Sequence, residues 1–157
     1  MTIYKIHRQQ LVKAPIDKIW DFFSSPKNLA DITPKKMNFR ITSGELPDNI
    51  YPGQIITYTL SPILGISLSW MTEITHIEYH KLFVDEQRSG PYKLWHHEHH
   101  FKENNEGILM TDIVHYALPL SILGNMAHSL FVKKQLNDLF DFRYKKVEEL
   151  FNQTQFK

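Results

Sequence analysis

The sequence contains no cysteine. Disulfides, thiolate catalysis and cysteine-ligated metal sites are thereby excluded. Neither sign of charge is in excess: 18 Lys and Arg face 17 Asp and Glu, a net charge of +1. A nucleic-acid footprint needs clustered positive charge, so no nucleic-acid partner is expected. No apolar run reaches the ~18 residues that a membrane-spanning helix needs. The opening MTIYKIHRQQLV lacks the apolar core of a secretory leader, and a cytoplasmic location is the expectation. Repeats, low-complexity tracts and linkers are also missing. At 157 residues the chain is expected to form a single domain, 1–157, large enough to bury a sizeable core.

What is present begins with a C-terminal helix, expected from about Leu123 to Phe151. Val132, Leu136, Leu139, Phe140, Arg143, Val147, Leu150 and Phe151 recur at spacings of three and four, which puts them on one helical face. Arg143 is the one polar member, and its stem can lie along apolar surface. Lys133, Lys134, Asn137, Asp138, Lys145 and Glu148 occupy the opposite, water-facing side. Gly124 and Asn125 are placed to open the helix, Asn being a good N-cap. A helix of ~28 residues would be about 42 Å long. Its stripe is buried only if something equally long lies beneath it.

The rest of the chain reads mostly as strand. Residues 3–13 form the first, ended by Ala14-Pro15. Ile16, Ile19, Trp20 and Phe23 then mark a short amphipathic helix over 15–24, and a second short helix is expected over 27–32. Strand-like runs follow at 37–43, 54–60, 66–78, 81–88, 92–102 and 108–118, separated by Gly, Pro and Ser. Helix is segregated from strand. That argues for an α+β fold on an antiparallel sheet of about seven strands, with two short helices after the first strand.

The most unusual local sequence is GPYKLWHHEHHF, Gly90 to Phe101. On a strand, Trp95, His97, His99 and Phe101 share one face, and Leu94, His96, Glu98 and His100 share the other. The next strand puts Met110, Asp112, Val114 and Tyr116 on one face. Two registers are open. A four-residue turn flanked by Glu103 and Ile108 sets His99 opposite Asp112 and Trp95 opposite Tyr116. A three-residue turn, Asn105-Glu106-Gly107, slips the register by one and brings Thr111 and His115 to the His97 face. The first is preferred, because it pairs a histidine with a carboxylate and an aromatic with an aromatic.

WMTEIT (Trp70 to Thr75), FVDEQRSGPYKLWHHEHHF (Phe83 to Phe101) and MTDIVHYALP (Met110 to Pro119) together resemble the SRPBCC group of the START and birch-allergen superfamily. More narrowly they resemble bacterial polyketide-cyclase-like ligand-binding proteins. The segment Ala14 to Phe23 and the element order fit as well, so the resemblance covers about Ile3 to Phe151. It implies a helix-grip fold, a curved antiparallel sheet wrapped on the long helix with an apolar cavity between them. It also implies that Trp70, Phe83, Asp85, Trp95, His97, His99, Asp112 and Tyr116 sit at recurrent positions, from which the cavity-lining, ligand-binding residues are expected to come. The family's activities range from lipid and hormone carriers to cyclases, ring-hydroxylase subunits and stress-response modules. The iron ligands of the hydroxylases have no counterpart here.

Each group also has a plainer reading. His97, His99, Asp112 and Tyr116 are the candidates for acid–base work or ligand hydrogen bonding, but the same residues can form a structural network that fixes the sheet. Trp70, Phe83 and Trp95 serve equally as core or as cavity lining. His96, Glu98 and His100 read as a solvated outer face. Alternate residues on a flat strand stand ~6.6 Å apart, too far for easy chelation without a third contributor, so no metal or cofactor is assigned. Leu123, Met126, Ala127, Leu130 and Phe131 spread around the helix start. They suit a capped helix end, a pocket lid or a homodimer contact, and Phe131 joins the ligand-facing set. The expected function is binding of a hydrophobic or aromatic small molecule between sheet and helix. The alternatives are a polyketide cyclase or dehydratase using the same cavity, and a ligand-free interaction module.

Overall fold

A computed structural model describes residues 1–63, 65–119 and 131–153. Seven strands form one antiparallel sheet: β1 (Tyr4–Val12), β2 (Arg40–Ile41), β3 (Ile55–Ile63), β4 (Ile66–Glu78), β5 (Leu82–Ser89), β6 (Leu94–Asn104) and β7 (Gly107–Ala117). Their order is β1-β7-β6-β5-β4-β3-β2, so the first strand closes against the last. Register shifts between Met71 and Thr72 and between Ile74 and His76 interrupt the β4–β5 ladder. Such extra residues bend a strand and increase its twist, and here they help curve the sheet.

Helix α1 (Ile16–Phe23) follows β1, and Pro15 stands before its first turn, where a missing N–H costs nothing. Two short 3₁₀ turns, Pro26–Ala30 and Lys35–Met37, come next. The second replaces the start of the strand expected over 37–43. Pro34 precedes it, Met37 is buried beneath it, and Asn38 ends it at φ +47, in the left-handed region that Asn tolerates. Only Arg40 and Ile41 of that run pair with β3.

Helix α2 (Lys133–Val147) lies across the concave face, and a wider turn, Glu148–Asn152, extends it. Val132, Leu136, Phe140 and Val147 are buried, as the stripe requires. Leu150 is exposed instead of buried. The wide final turn adds a residue per turn and rotates it off the stripe. The proposed opening at Gly124 and Asn125, and the apolar set Leu123, Met126, Ala127 and Leu130, lie outside the described residues. The helix is pinned to β1 by polar contacts. Arg8 donates to Asn137 Oδ1 at 2.7 Å, Gln10 to Glu148 Oε1 at 2.7 Å, and Asn152 to the Leu11 carbonyl at 2.9 Å.

The core divides in two. Ile6, Trp70, Trp95, Val114, Tyr116, Leu136 and Phe140 pack around the first half of α2. Val12, Ile19, Trp20, Phe83, Phe101, Met110 and Val147 pack between α1 and its end. A cavity of about 500 Å³ lies between the sheet and the helix, lined by residues of both groups.

Candidate functional site

The β6–β7 ladder has the preferred register. His99 is opposite Asp112, Trp95 opposite Tyr116, and Glu103 opposite Ile108. The ladder continues one pair further to Asn104 and Gly107, leaving Asn105-Glu106 as a two-residue turn. On the other side of β6, Asp85 of β5 is opposite His97 and Phe83 is opposite His99. Three adjacent strands thus deliver two imidazoles and two carboxylates to one patch of the concave face.

The two rings lie against each other, centroids 3.7 Å apart, between the carboxylates. His97 Nε2 is 2.9 Å from Asp112 Oδ1, and its Nδ1 is 3.4 Å from Asp85 Oδ2. His99 Nε2 is 2.7 Å from Asp85 Oδ2, and its Nδ1 is 3.2 Å from Asp112 Oδ1. Phe83 stacks on His99 at 4.0 Å, and Phe140 of α2 meets His97 edge-on at 5.8 Å. His97 is fully inside, and the other three members are at most one-quarter exposed.

Burial would raise both carboxyl pKa values, but contact with the two histidines outweighs it. Asp85 is held below the usual carboxylate range and Asp112 well below it. The histidines separate. Burial and the adjacent His99 ring push His97 down, whereas bonds to Asp112 and Asp85 overcome the burial of His99 and raise it. His99 is therefore the more basic ring of the pair, and each carboxylate accepts from the ring nitrogens that carry protons.

Trp70, Phe83, Asp85, Trp95, His97, His99 and Asp112 all line the cavity. Tyr116 does not. It is buried in the sheet beside Tyr4, Tyr92 and Trp95, where burial and Tyr4 push its hydroxyl up to about 12. Phe131 is 58% exposed and is likewise absent from the wall. It sits at the edge of α2, one position before buried Val132, so helical rotation turns it to solvent. On the outer face, His96, Glu98 and His100 are partly buried and contact one another and Glu86, whose Oε1 is 2.8 Å from His96 Nδ1.

Among the wall residues that the sequence reading did not assign to the site are Arg143 and Tyr58. Arg143 Nε donates to the Ile32 carbonyl at 3.3 Å, and its guanidinium lies 5.4 Å over the Phe140 ring. Its charge helps keep Asp85 ionised. A lone cation in an apolar stripe was the available signal. Tyr58 shares a hydrogen bond with Thr72 at 3.2 Å and stacks on Trp70. Burial, and then the Asp85 charge, raise its pKa. The alternation Ile56, Tyr58, Leu60 places it inward. Arg143, Tyr58 and the His–Asp group are polar members of a largely apolar wall.

No family model and no curated protein matches the chain. Solved structures do. Ginseng major latex-like protein 151 from Panax ginseng has a TM-score of 0.68 at 18% identity, over 94% of this chain and 96% of that one. Truncated norcoclaurine synthase from Thalictrum flavum has a TM-score of 0.65 at 18% identity, over 94% and 95%. A protein from Chromobacterium violaceum has a TM-score of 0.72 at 12% identity, over 96% and 99%. With nearly complete mutual coverage, the chain shares the helix-grip fold of these proteins, a curved antiparallel sheet against a long C-terminal helix.

Proposed function

We propose that the chain acts as a single domain that binds a hydrophobic or aromatic small molecule between the sheet and α2. The observation that carries this reading is the cavity of about 500 Å³, with a largely apolar wall that includes aromatic rings and the His–Asp group. Small-molecule sites are typically about 300–1,000 Å³, apolar, with few polar groups that fix orientation. Tyr58, Trp70, Tyr92 and Trp95 offer flat apolar surfaces. His99, Asp85, Asp112 and Arg143 supply donors and acceptors for a polar end.

Native mass spectrometry of protein purified without added ligand tests this, together with uptake of a fluorescent apolar probe. A stoichiometric released compound, or probe binding that Leu136→Trp abolishes, is expected. A clean apo mass with no probe uptake overturns the reading. Leu136 is buried on the wall, so the larger ring fills the chamber from the helix side.

The second reading is an enzyme of the cyclase or dehydratase type. It is favoured by two His–Asp contacts on a cavity wall, His97 with Asp112 and His99 with Asp85. Norcoclaurine synthase has this fold and is by name an enzyme. Tyr116 drops out as the donor, since it is off the wall, and Tyr58 takes that place. His97→Gln and His99→Gln should then abolish turnover of a polyketide-like substrate while apolar-probe binding persists. The interaction-module reading rests on the helix start, of which Phe131, exposed, is the one member among the described residues.

A further inference from the structure

Alternate histidines on a strand are ordinarily too far apart to chelate, but His97 and His99 are not. Their rings lie 3.7 Å apart, and one ligand atom from each of Asp85, His97 and His99 falls within 4.8 Å of the other two. We propose that these three residues form a divalent transition-metal site, with Asp112 as the carboxylate that orients both imidazoles.

The donor chemistry suits zinc and its first-row neighbours, since imidazole and carboxylate are their ordinary ligands. The spacing suits it too. Bonds of about 2.0–2.1 Å to a tetrahedral ion put ligand atoms roughly 3.4 Å apart. Asp85 Oδ2 and His97 Nδ1 already stand at 3.4 Å. Asp85 Oδ2 and His99 Nε2, at 2.7 Å, need to open by roughly 0.7 Å to reach the same edge.

The orientation of the rings is the stronger argument. A metal-bound histidine usually gives its other N–H to a carboxylate, which fixes the tautomer and aims the lone pair. Here one carboxylate serves both rings. Asp112 Oδ1 is 2.9 Å from His97 Nε2 and 3.2 Å from His99 Nδ1. With a metal bound, both rings give up any extra proton, and those two bonds to Asp112 then leave His97 Nδ1 and His99 Nε2, the two nitrogens nearest Asp85, with the lone pairs that face the ion. Two carboxylates balance a dication while both imidazoles stay neutral. All three ligands line the cavity, so a fourth coordination position faces the space where a small molecule would sit. This is the three-ligand arrangement of zinc sites that keep a position open. The inference does not depend on which molecule, if any, the chamber holds.

The test is titration of chelator-stripped full-length protein with cobalt(II) chloride, followed by its visible ligand-field absorption. One equivalent should give an intense band of low coordination number, and zinc should displace it. Asp85→Asn, which keeps the shape and removes the charge, should abolish the band, as should His97→Ala and His99→Ala. Asp112→Asn should keep the band but weaken cobalt binding by roughly 10–100-fold. His96→Ala with His100→Ala, on the outer face, should leave it unchanged. Absence of a stoichiometric band overturns the proposal. So does a band that survives Asp85→Asn, or one lost with His96 and His100. Should a histidine variant fail to fold, Asp85→Asn still decides the matter.

Discussion

At the scale of single residues, Asp112 has the most to hold. It accepts from two rings that have no other carboxylate on that side. Removing one partner from a buried ionic group leaves the other's polarity uncompensated, which costs about 3–5 kcal/mol. Asp112→Ala should lose stability on that scale in urea unfolding. Asp112→Asn keeps an acceptor oxygen and should lose less. Equal losses would mean that the charge, not the hydrogen bond, matters. Histidine and aspartate on one strand face could be read from alternation alone, and their pairing followed from the preferred register. Arg143 could not be read in the same way. Helical periodicity says which face a residue occupies and is silent about what stands opposite. Asp85 was flagged only through resemblance, because nothing in β5 by itself marks it as the partner of two histidines one strand away.

At the scale of elements, the β6–β7 hairpin sets the site, and Gly107 sets the hairpin. Gly107 has φ +144, and a Cβ there would stand 2.5 Å from the Val12 carbonyl oxygen. Strained backbone of this kind costs roughly 1–3 kcal/mol, and the clash involves β1 backbone that cannot rotate away. Gly107→Ala should therefore lower the melting temperature more than Gly44→Ala, whose added Cβ meets nothing within 4 Å. Equal effects would remove Gly107 from this role. All seven strands were legible because alternation and turn residues agree about them. The run at 37–43 is shorter than read, since Pro34 and Asn38 impose a turn on its first half and leave only Arg40 and Ile41 as β2. The wide last turn of the C-terminal helix was equally hidden, because a steady spacing of three and four predicts that Leu150 stays inside.

At the scale of the molecule, alkaline pH should act through buried tyrosines. Tyr116 is pushed up from 10 to about 12 by burial and by Tyr4, and Tyr58 and Tyr92 are also raised, chiefly by burial. A folded pKa above the unfolded one contributes stability that is complete below the unfolded value. It is lost as pH rises through the folded value, so the window runs from about 10 to about 12. Tyrosinate absorbance and unfolding should rise together across that interval. Three tyrosines titrating near 10 with the fold intact would refute the assignment. The wide apolar stripe suggested a space beneath the helix, but pattern cannot tell a filled layer from an open one. That needs the curvature of the sheet. The pairing of β1 with β7 bears on synthesis as well. Gln9 lies 102 residues before its partner Thr111. At a translation rate of ~5–20 residues per second, the first strand emerges from the ribosome roughly 5–20 seconds before the strand it pairs with, its one neighbour among the described strands. During that interval the nascent chain carries an unmated edge, and the last strand to be made closes a sheet whose first strand has been waiting.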